Sequence, residues 1–337
     1  MLLAGDIGGT KTALAVFSAE HGPRAPLAEK VFPSGDYPSL EAIAREYIRE
    51  VDHPVTQACF AVAGPVSSGR ATLTNLPWVI EESALQAALG LECVRVLNDV
   101  EAMATAVPHL RPGELCTVRD GEPLPGGAIA VIAPGTGLGE AFLMWDGLRY
   151  RAYPSEGSHV DFAATTPQQA ELLRRLQARW GRVSYERVCA GRSIPDLYDF
   201  LMDVGQMQES PAVRAELAVA RDRTPTIMAA GVARPAPDPL CRAALDLFMS
   251  IFGAAAGNLV LSVLATGGLY IGGGIPQRLL PVAPGMDQIF LSTFQDKGRL
   301  SPVLARVPIH LIVEPVALLG AAVHGLDILV SAGRVSA

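Results

Sequence analysis

The stretch LLAGDIGGTKT, residues 2–12, decides the fold. Its apolar start predicts a short buried strand, and the glycine-rich run that follows predicts a tight turn into a second strand at 13–18. A P-loop needs Gly directly before Lys-Ser/Thr, and Thr10 occupies that place. Asp6 at the end of the strand favours a phosphate loop in which a carboxylate holds Mg²⁺, often through water. A plain β-hairpin turn explains the two glycines equally well.

The first half of the chain continues as a mixture of strands and helices. Short apolar or β-prone runs at 2–5, 13–18 and 27–32 predict a three-stranded meander. From residue 38 to 50 the apolar residues recur at the spacing of one face of a helix. Two further strands are predicted at 58–63 and 94–97, each followed by a helix.

The second half repeats this order. The sequence predicts a strand at 128–133, a Gly-rich turn at 135–139, strands at 141–145 and 148–153, a helix at 168–180, and strands at 269–271 and 309–313. The fold class is therefore α/β, with two duplicated domains and a cleft between them. We expect a smaller N-terminal domain of residues 1–109 plus 315–337, completed by a last helix at 316–330, and a larger C-terminal domain of residues 110–314.

Composition and charge exclude several classes of protein. The 337 residues carry 27 basic and 34 acidic side chains, a net charge of −7, so the cationic surplus of a nucleic-acid-binding protein is missing. The five cysteines are scattered, which excludes a disulfide framework and a CxxC site. The first residues lack a basic segment and a cleavage site, so we expect a cytoplasmic location.

An uncharged stretch between Leu247 and Gln277 is long enough to suggest a membrane span. Polar residues and glycines interrupt it, and these interruptions favour a buried helix at about 246–265 followed by the strand at 269–271. We therefore expect no membrane association.

Two further glycine loops follow strands. The second is PGTGLG at 134–139, where glycines let backbone N–H groups approach an anion closely. The third is GGLYIGGGI at 267–275, which could leave room for a flat adenine ring or could simply allow a strand to pack tightly on a helix.

Together the three loops resemble the phosphate-1, phosphate-2 and adenosine motifs of the actin-like ATPase and sugar kinase superfamily. Segments at 60–66, 74–78, 97–102, 155–162, 185–191 and 314–321 resemble successive motifs of bacterial-type glucokinase, in the group distinct from the ROK kinases. The resemblance implies RNase H-like (actin-like ATPase) domains, ATP-dependent phosphorylation of glucose to glucose 6-phosphate as the first step of glycolysis, and a homodimer. It also implies ATP and Mg²⁺ as cofactors, with Asp6 as the metal residue. The implied nucleotide contacts are Gly5, Asp6, Ile7, Gly8, Gly9, Thr10, Gly135, Thr136, Gly137, Gly273 and Gly274.

Asp99 is the expected catalytic base, because it follows a strand at the edge of the sheet where ligands usually bind. Asp is also a favoured helix N-cap, and that purely structural role remains open. By resemblance, the sugar contacts are Asn75, Asn98, Asp99, Glu156, His159 and Glu186. Glu156 and His159 could equally lie on a solvated turn, and Glu186 could serve only the dipole of a helix.

His159 is interpreted as a hydrogen-bonding group, since no second His or Cys lies at ligand spacing. ROK kinases carry a zinc site just after the corresponding His, whereas here Val160-Asp161-Phe162 follows, so no zinc is expected. Two other functions remain: a kinase for another hexose, such as mannose or an N-acetylated amino sugar, and a nucleotide-driven switch or sugar-responsive regulator. The phosphoryl donor could be ATP, ADP or polyphosphate.

Overall fold

The computed structural model describes residues 1–73, 76–205 and 207–335. The chain divides into two compact units. The first comprises Met1–Pro112, Leu148–Pro154 and Glu314–Ala337, and the second comprises Gly113–Gly147 and Ser155–Val313. Residues 148–154, which we expected in the larger C-terminal domain, therefore group with the N-terminal unit.

Strands and helices alternate along the chain. The strands are β1 (Leu2–Ile7), β2 (Lys11–Phe17), β3 (Ala28–Pro33), β4 (Gln57–Val62), β5 (Val66–Ser67), β6 (Arg70–Thr72), β7 (Val79–Glu81), β8 (Cys93–Asn98), β9 (Leu115–Arg119), β10 (Ile129–Pro134), β11 (Leu138–Trp145), β12 (Tyr150–Ser155), β13 (Gly268–Ile271) and β14 (Ile309–Ile312). The helices are α1 (Leu40–Glu50), α2 (Glu82–Leu89), α3 (Asp99–Ala106), α4 (Pro167–Trp180), α5 (Ile194–Asp203), α6 (Pro211–Val219), α7 (Thr224–Gly231), α8 (Pro239–Val263), α9 (Gly274–Leu279), α10 (Met286–Gln295), α11 (Ser301–Ala305) and α12 (Ala317–Val335).

The first unit is built on a five-stranded sheet of order β3-β2-β1-β4-β8. Strands β3, β2 and β1 form the predicted antiparallel meander, and β1, β4 and β8 run parallel. Ile7 pairs with Val62, and Val62 pairs with Asn98, so these three parallel strands end in one row. The polar side chains at the ends of β1 and β8 therefore lie at the same edge of the sheet.

The second unit repeats this plan. Five of its strands are hydrogen-bonded in the order β11-β10-β13-β14-β9. Strand β10 is antiparallel to β11 and parallel to β13, as β1 is antiparallel to β2 and parallel to β4. The observed repeat agrees with the duplicated α/β pattern read from the sequence.

Four of the strands were not predicted from the sequence. Strand β9 lies inside the Pro/Gly-rich segment 108–127, where the sequence predicts no strand, and it pairs antiparallel with β14. The strands β5, β6 and β7 form a small antiparallel sheet of two- and three-residue strands. Strands this short have too few residues to display an alternating pattern.

Helix α8 is the 25-residue core helix of the second unit. It begins seven residues before the expected start, because the Asp238 carboxylate accepts from the Cys241 N–H as an N-cap and Pro239 fits the first turn. The helix is long and apolar enough to cross a membrane, but 78% of its apolar window is buried within the protein. Gly253 and Gly257 let it approach the backbone of α10 at Phe290 and Phe294.

The last helix, α12, packs on α3, β1 and β4 of the first unit, as predicted from the sequence. Gly320 faces the backbone carbonyl of Ala102 in α3 so closely that a side chain would have no space. The last helix, α12, therefore packs directly against α3, the helix that begins with Asp99.

Candidate active site

The first glycine loop is the turn of the β1–β2 hairpin. The Gly8 N–H donates to the Lys11 carbonyl at 2.9 Å, and the Ser34 hydroxyl donates to the Gly8 carbonyl at 2.8 Å. Gly5 has a packing role, since a Cβ there would lie 2.7 Å from the Phe60 ring. The turn is therefore a hairpin in its backbone, and that geometry is compatible with the phosphate-loop interpretation.

Asp6 lies in β1 directly before this turn. Burial raises the pKa of its carboxyl group and is the only resolved cause of the shift. None of the ion pairs found among residues 1–73, 76–205 and 207–335 involves Asp6. A half-buried carboxylate that is in none of these ion pairs fits a divalent cation, for which carboxylate and water oxygens are the preferred ligands.

Asn98, and not Asp99, is the N-cap of α3. Its side-chain carbonyl accepts from the N–H groups of Val100 at 2.9 Å and Glu101 at 3.3 Å. Its amide nitrogen donates to the Gly64 carbonyl at 2.9 Å. The N-cap role that the sequence left open for Asp99 therefore belongs to its neighbour, and Asp99 is the first residue of the helix.

The Asp99 carboxyl group is partly buried at the start of α3, directly after β8, and this burial raises its pKa to about 6. The Val100 N–H, 2.9 Å from Oδ1, opposes this shift, and the negative charge of Asp6 adds to it. A carboxyl group with a pKa near the working pH is suited to accept a proton and release it again.

The second and third glycine loops meet in the second unit. A cavity of about 460 Å³ is lined by Gly135, Thr136, Gly191, Arg192, Asp222, Thr224, Pro225, Met228, Gly274, Ile275 and Arg278. Nothing lies within 4 Å of an added Cβ at Gly135 or Gly274, whereas Gly273 has a φ of 85° and packs against the backbone of Pro134. Both meanings of the third loop therefore apply, tight packing at Gly273 and open space at Gly274.

The glycines of the second loop have different surroundings. The Gly135 N–H donates to the Gly137 carbonyl at 2.8 Å, which closes the loop on itself. A Cβ on Gly137 would lie 2.7 Å from Oε2 of Glu186. Gly137 thus makes room for a carboxylate of the protein, and Gly135 and Thr136 line the cavity.

The sugar-contact candidates of the second unit lie on two adjacent turns. Glu156 and His159 flank a single helical turn, with 3.8 Å between Oε2 and Nε2 and exposed fractions of 70% and 54%. Glu186 lies on the second turn, which is joined to the first by a hydrogen bond of 3.1 Å from the Tyr185 N–H to the Val160 carbonyl. Asn98 and Asp99 belong to the first unit. Asn75 falls outside the described residues.

Several residues of the site were not anticipated from the sequence. Arg192, Asp222, Thr224 and Arg278 line the cavity, but they lie in separate loops and helices and share no motif. Of these four residues, Arg192 alone adjoins a recognised motif, since it directly follows the segment 185–191. No three His, Cys, Asp or Glu side chains cluster as metal ligands in the described part of the chain.

Glu140 was also missed. It is 7% exposed in β11, and burial raises its pKa to about 7. Its carboxylate lies against the Cα of Gly157, the first residue of the turn between Glu156 and His159, and leaves no room there for a side chain. The Glu140 carboxylate therefore packs against this turn.

Comparison with known proteins decides the family. The sequence matches the glucokinase family over residues 3–327. The chain belongs to the glucokinase family. A glucokinase from Nostoc sp. (strain PCC 7120) is 38% identical, with 96% of this chain and 98% of the relative covered.

Solved structures agree. A glucokinase from an Antarctic psychrotroph superimposes with a TM-score of 0.77 at 33% identity, covering 97% of this chain and 98% of that one. A glucokinase from Balamuthia mandrillaris in complex with glucose gives 0.76 at 21% identity, covering 96% and 92%, and shows the same fold. The actin-like ATPase fold and the non-ROK group expected from the sequence are confirmed. Because the chain belongs to this family, it is a glucokinase and not a nucleotide-driven switch.

Proposed function

We propose that this chain transfers the γ-phosphoryl group of ATP to the 6-hydroxyl of glucose, with Asp99 as the base. The partly buried Asp99 carboxyl group, with a pKa of about 6 at the edge of the first sheet, carries this proposal. The 6-oxygen attacks the γ-phosphorus, its proton passes to Asp99, and the bond from the γ-phosphorus to the leaving oxygen of ADP breaks. Because the transition state is loose, the main task of Asp99 is to orient the hydroxyl.

Asn98 contributes to the sugar site as a donor. Its carbonyl oxygen already accepts two N–H groups, and one of its two amide hydrogens is used by Gly64. An amide carries two donors, and the second N–H is the proposed contact to a sugar hydroxyl beside Asp99, with whose carboxyl group the Asn98 side chain also hydrogen-bonds. The capping bonds fix the direction of that N–H, and this pre-organisation favours one orientation of the sugar.

Glu156, His159 and Glu186 are the proposed contacts to the other ring hydroxyls, and Asn75 is kept as a contact on the resemblance alone. The adjacency of the two turns supports this set. A site built to accept and donate hydrogen bonds to several hydroxyls rejects a sugar that lacks one, because its polar groups would then be left unpaired.

The glycine loops are the proposed nucleotide site, comprising residues 5–10, 135–137, 273 and 274. The open space at Gly135 and Gly274 beside the cavity supports contact with the nucleotide there. Asp6 is the residue that would hold Mg²⁺, through water. When bound, the ion would neutralise charge on the phosphate oxygens. We further propose that the protein works as a cytoplasmic homodimer, and that its two domains correspond to residues 1–109 with 315–337 and to residues 110–314, apart from residues 148–154, which group with the first unit.

A substrate and donor panel tests the function. We expect kcat/KM for glucose with ATP to exceed the values for mannose and N-acetylglucosamine, and to exceed those for glucose with ADP or polyphosphate. Coupled detection of glucose 6-phosphate and of the spent donor provides the measurement. A higher kcat/KM for an acetylated sugar would overturn the assignment of glucose as the substrate. A higher kcat/KM with polyphosphate would overturn the assignment of ATP as the donor.

A further inference from the structure

Arg192 contacts two parts of the second unit that the proposed function treats separately. Its side chain lines the cavity beside the second and third glycine loops. Its guanidinium also forms an ion pair with Oε1 of Glu186, the proposed sugar contact. The other oxygen of Glu186 accepts from the Leu138 N–H of the second glycine loop at 3.2 Å. Both carboxylate oxygens of Glu186 therefore contact groups beside the proposed nucleotide site, the Arg192 guanidinium and the Leu138 N–H.

The backbone beneath Arg192 is fixed to the same loop. The Gly191 N–H donates to the Gly135 carbonyl at 2.7 Å, and the Thr224 hydroxyl donates to the Gly191 carbonyl at 3.1 Å. The Ser193 hydroxyl accepts from the Ala190 N–H at 3.1 Å. Arg192 therefore projects from an anchored segment, and only its side chain can reorient.

The chemistry of the pair allows both ligands to bind at once. A guanidinium has five N–H donors in a rigid fork, so an edge that contacts a carboxylate leaves donors for phosphate oxygens. An ionised carboxylate has about four acceptor sites, and those of Glu186 that are not used by Arg192 and Leu138 remain for sugar hydroxyls. The Arg192 side chain is 52% exposed and that of Glu186 is 13% exposed, so the carboxylate is the more buried partner.

We propose that Arg192 is a positioning residue that couples nucleotide binding to sugar binding through Glu186. A phosphate group in the cavity immobilises the Arg192 fork, and the fork holds the Glu186 carboxylate in the orientation that accepts a sugar hydroxyl. Binding of either ligand then strengthens binding of the other by the same factor. The inference rests on the proposed assignment of Glu186 to the sugar.

The test compares Arg192→Gln with the unaltered enzyme. Titration calorimetry gives the Kd for glucose with and without a non-hydrolysable ATP analogue, and the ratio of the two values is the coupling factor. We expect Arg192→Gln to reduce this factor about fivefold or more, within the usual range of coupling between sites. In steady-state kinetics the KM for glucose should rise more than kcat falls.

Arg278→Gln is the matched control. Arg278 lines the same cavity, but it is in none of the ion pairs found in the described ranges 1–73, 76–205 and 207–335. Its substitution should weaken nucleotide binding while the coupling factor stays at the unaltered value. Arg192→Lys keeps the charge without the fork, so its coupling factor should fall between those of the Gln variant and the unaltered enzyme.

An unchanged coupling factor in Arg192→Gln overturns the proposal, as does an unaltered enzyme in which the analogue leaves the Kd for glucose unchanged. If Arg192→Gln does not fold, an unchanged factor in Arg192→Lys overturns it instead. The variant Glu186→Gln distinguishes failure of the coupling proposal from failure of the assignment of Glu186 to the sugar site. An unchanged KM for glucose in Glu186→Gln removes Glu186 from the sugar site, and a raised KM there with unchanged coupling in Arg192→Gln removes only the coupling.

Discussion

At the scale of single residues, Asp99 shows how the fold sets the chemistry of a carboxyl group. Its neighbour Asn98 takes over the capping of α3, which leaves the Asp99 carboxylate at the edge of the sheet with Asp6 beside it. Burial first, and then the Asp6 charge, move the pKa of Asp99 to about 6. The ionised form is the one that accepts a proton, so activity should depend on pH in this range.

We expect kcat/KM for glucose to fall below about pH 6, approaching a tenfold loss for each further pH unit. The sign follows from the role of the base: as the pH drops through the raised pKa, Asp99 becomes protonated and can no longer take the hydroxyl proton. A pH–rate profile of the free enzyme at low glucose measures this pKa. A profile that stays flat down to pH 5 would contradict the assignment.

At the scale of elements, the position of α3 depends on its contact with α12. Gly320 of α12 lies against the carbonyl of Ala102, and backbone atoms cannot move aside for a side chain. Gly325 of the same helix faces the side chain of Leu2, at 2.5 Å from an added Cβ to the nearest methyl carbon, and the end of this side chain can shift where a backbone atom cannot. The two glycines therefore differ in what a substitution would meet.

Gly320→Ala should destabilise the protein by about 2 kcal/mol, because overpacking against the α3 backbone outweighs the higher helix propensity of alanine. Gly325→Ala is the matched control and should change the free energy of unfolding by less than about 1 kcal/mol. Denaturant unfolding of the two variants measures the difference. Equal stability of both would show that α12 does not need the close approach at Gly320.

The elements that the sequence predicted are those whose own residues carry the signal. The apolar runs of β1, β4 and β10 and the helical spacing of α1 were sufficient to locate them. In contrast, β9 is an edge strand in a Pro/Gly-rich segment, and only its pairing with β14 defines it. Local sequence cannot report a partner almost 200 residues away.

At the scale of the whole molecule, the repeat of sheet order in the two units was predictable because each half shows the same succession of strand, glycine turn and strand. For the candidate site, the sequence suggests Asp99 from its place after a strand, and Gly135 and Gly274 from their loops, and the roles of these residues stay predictions. Arg192, Glu140 and Arg278 were not predicted, because the cavity and the contacts that give them a role form only when separate segments of the chain fold together.

The central claim is that Asp99 is the base of a glucose kinase, and Asp99→Asn tests it most directly. The substitution keeps the size of the side chain and an acceptor for the Val100 N–H, but it removes the base. Glu101→Gln is the control, a nearby carboxyl group of the same helix with a pKa that burial also raises. Glucose-dependent ADP formation and nucleotide binding are measured for both variants.

We expect Asp99→Asn to lower kcat by about 10²- to 10⁴-fold while the Kd for ATP stays within about twofold, and Glu101→Gln to keep both values. Near-unaltered turnover in Asp99→Asn, with glucose 6-phosphate still formed, would contradict the account.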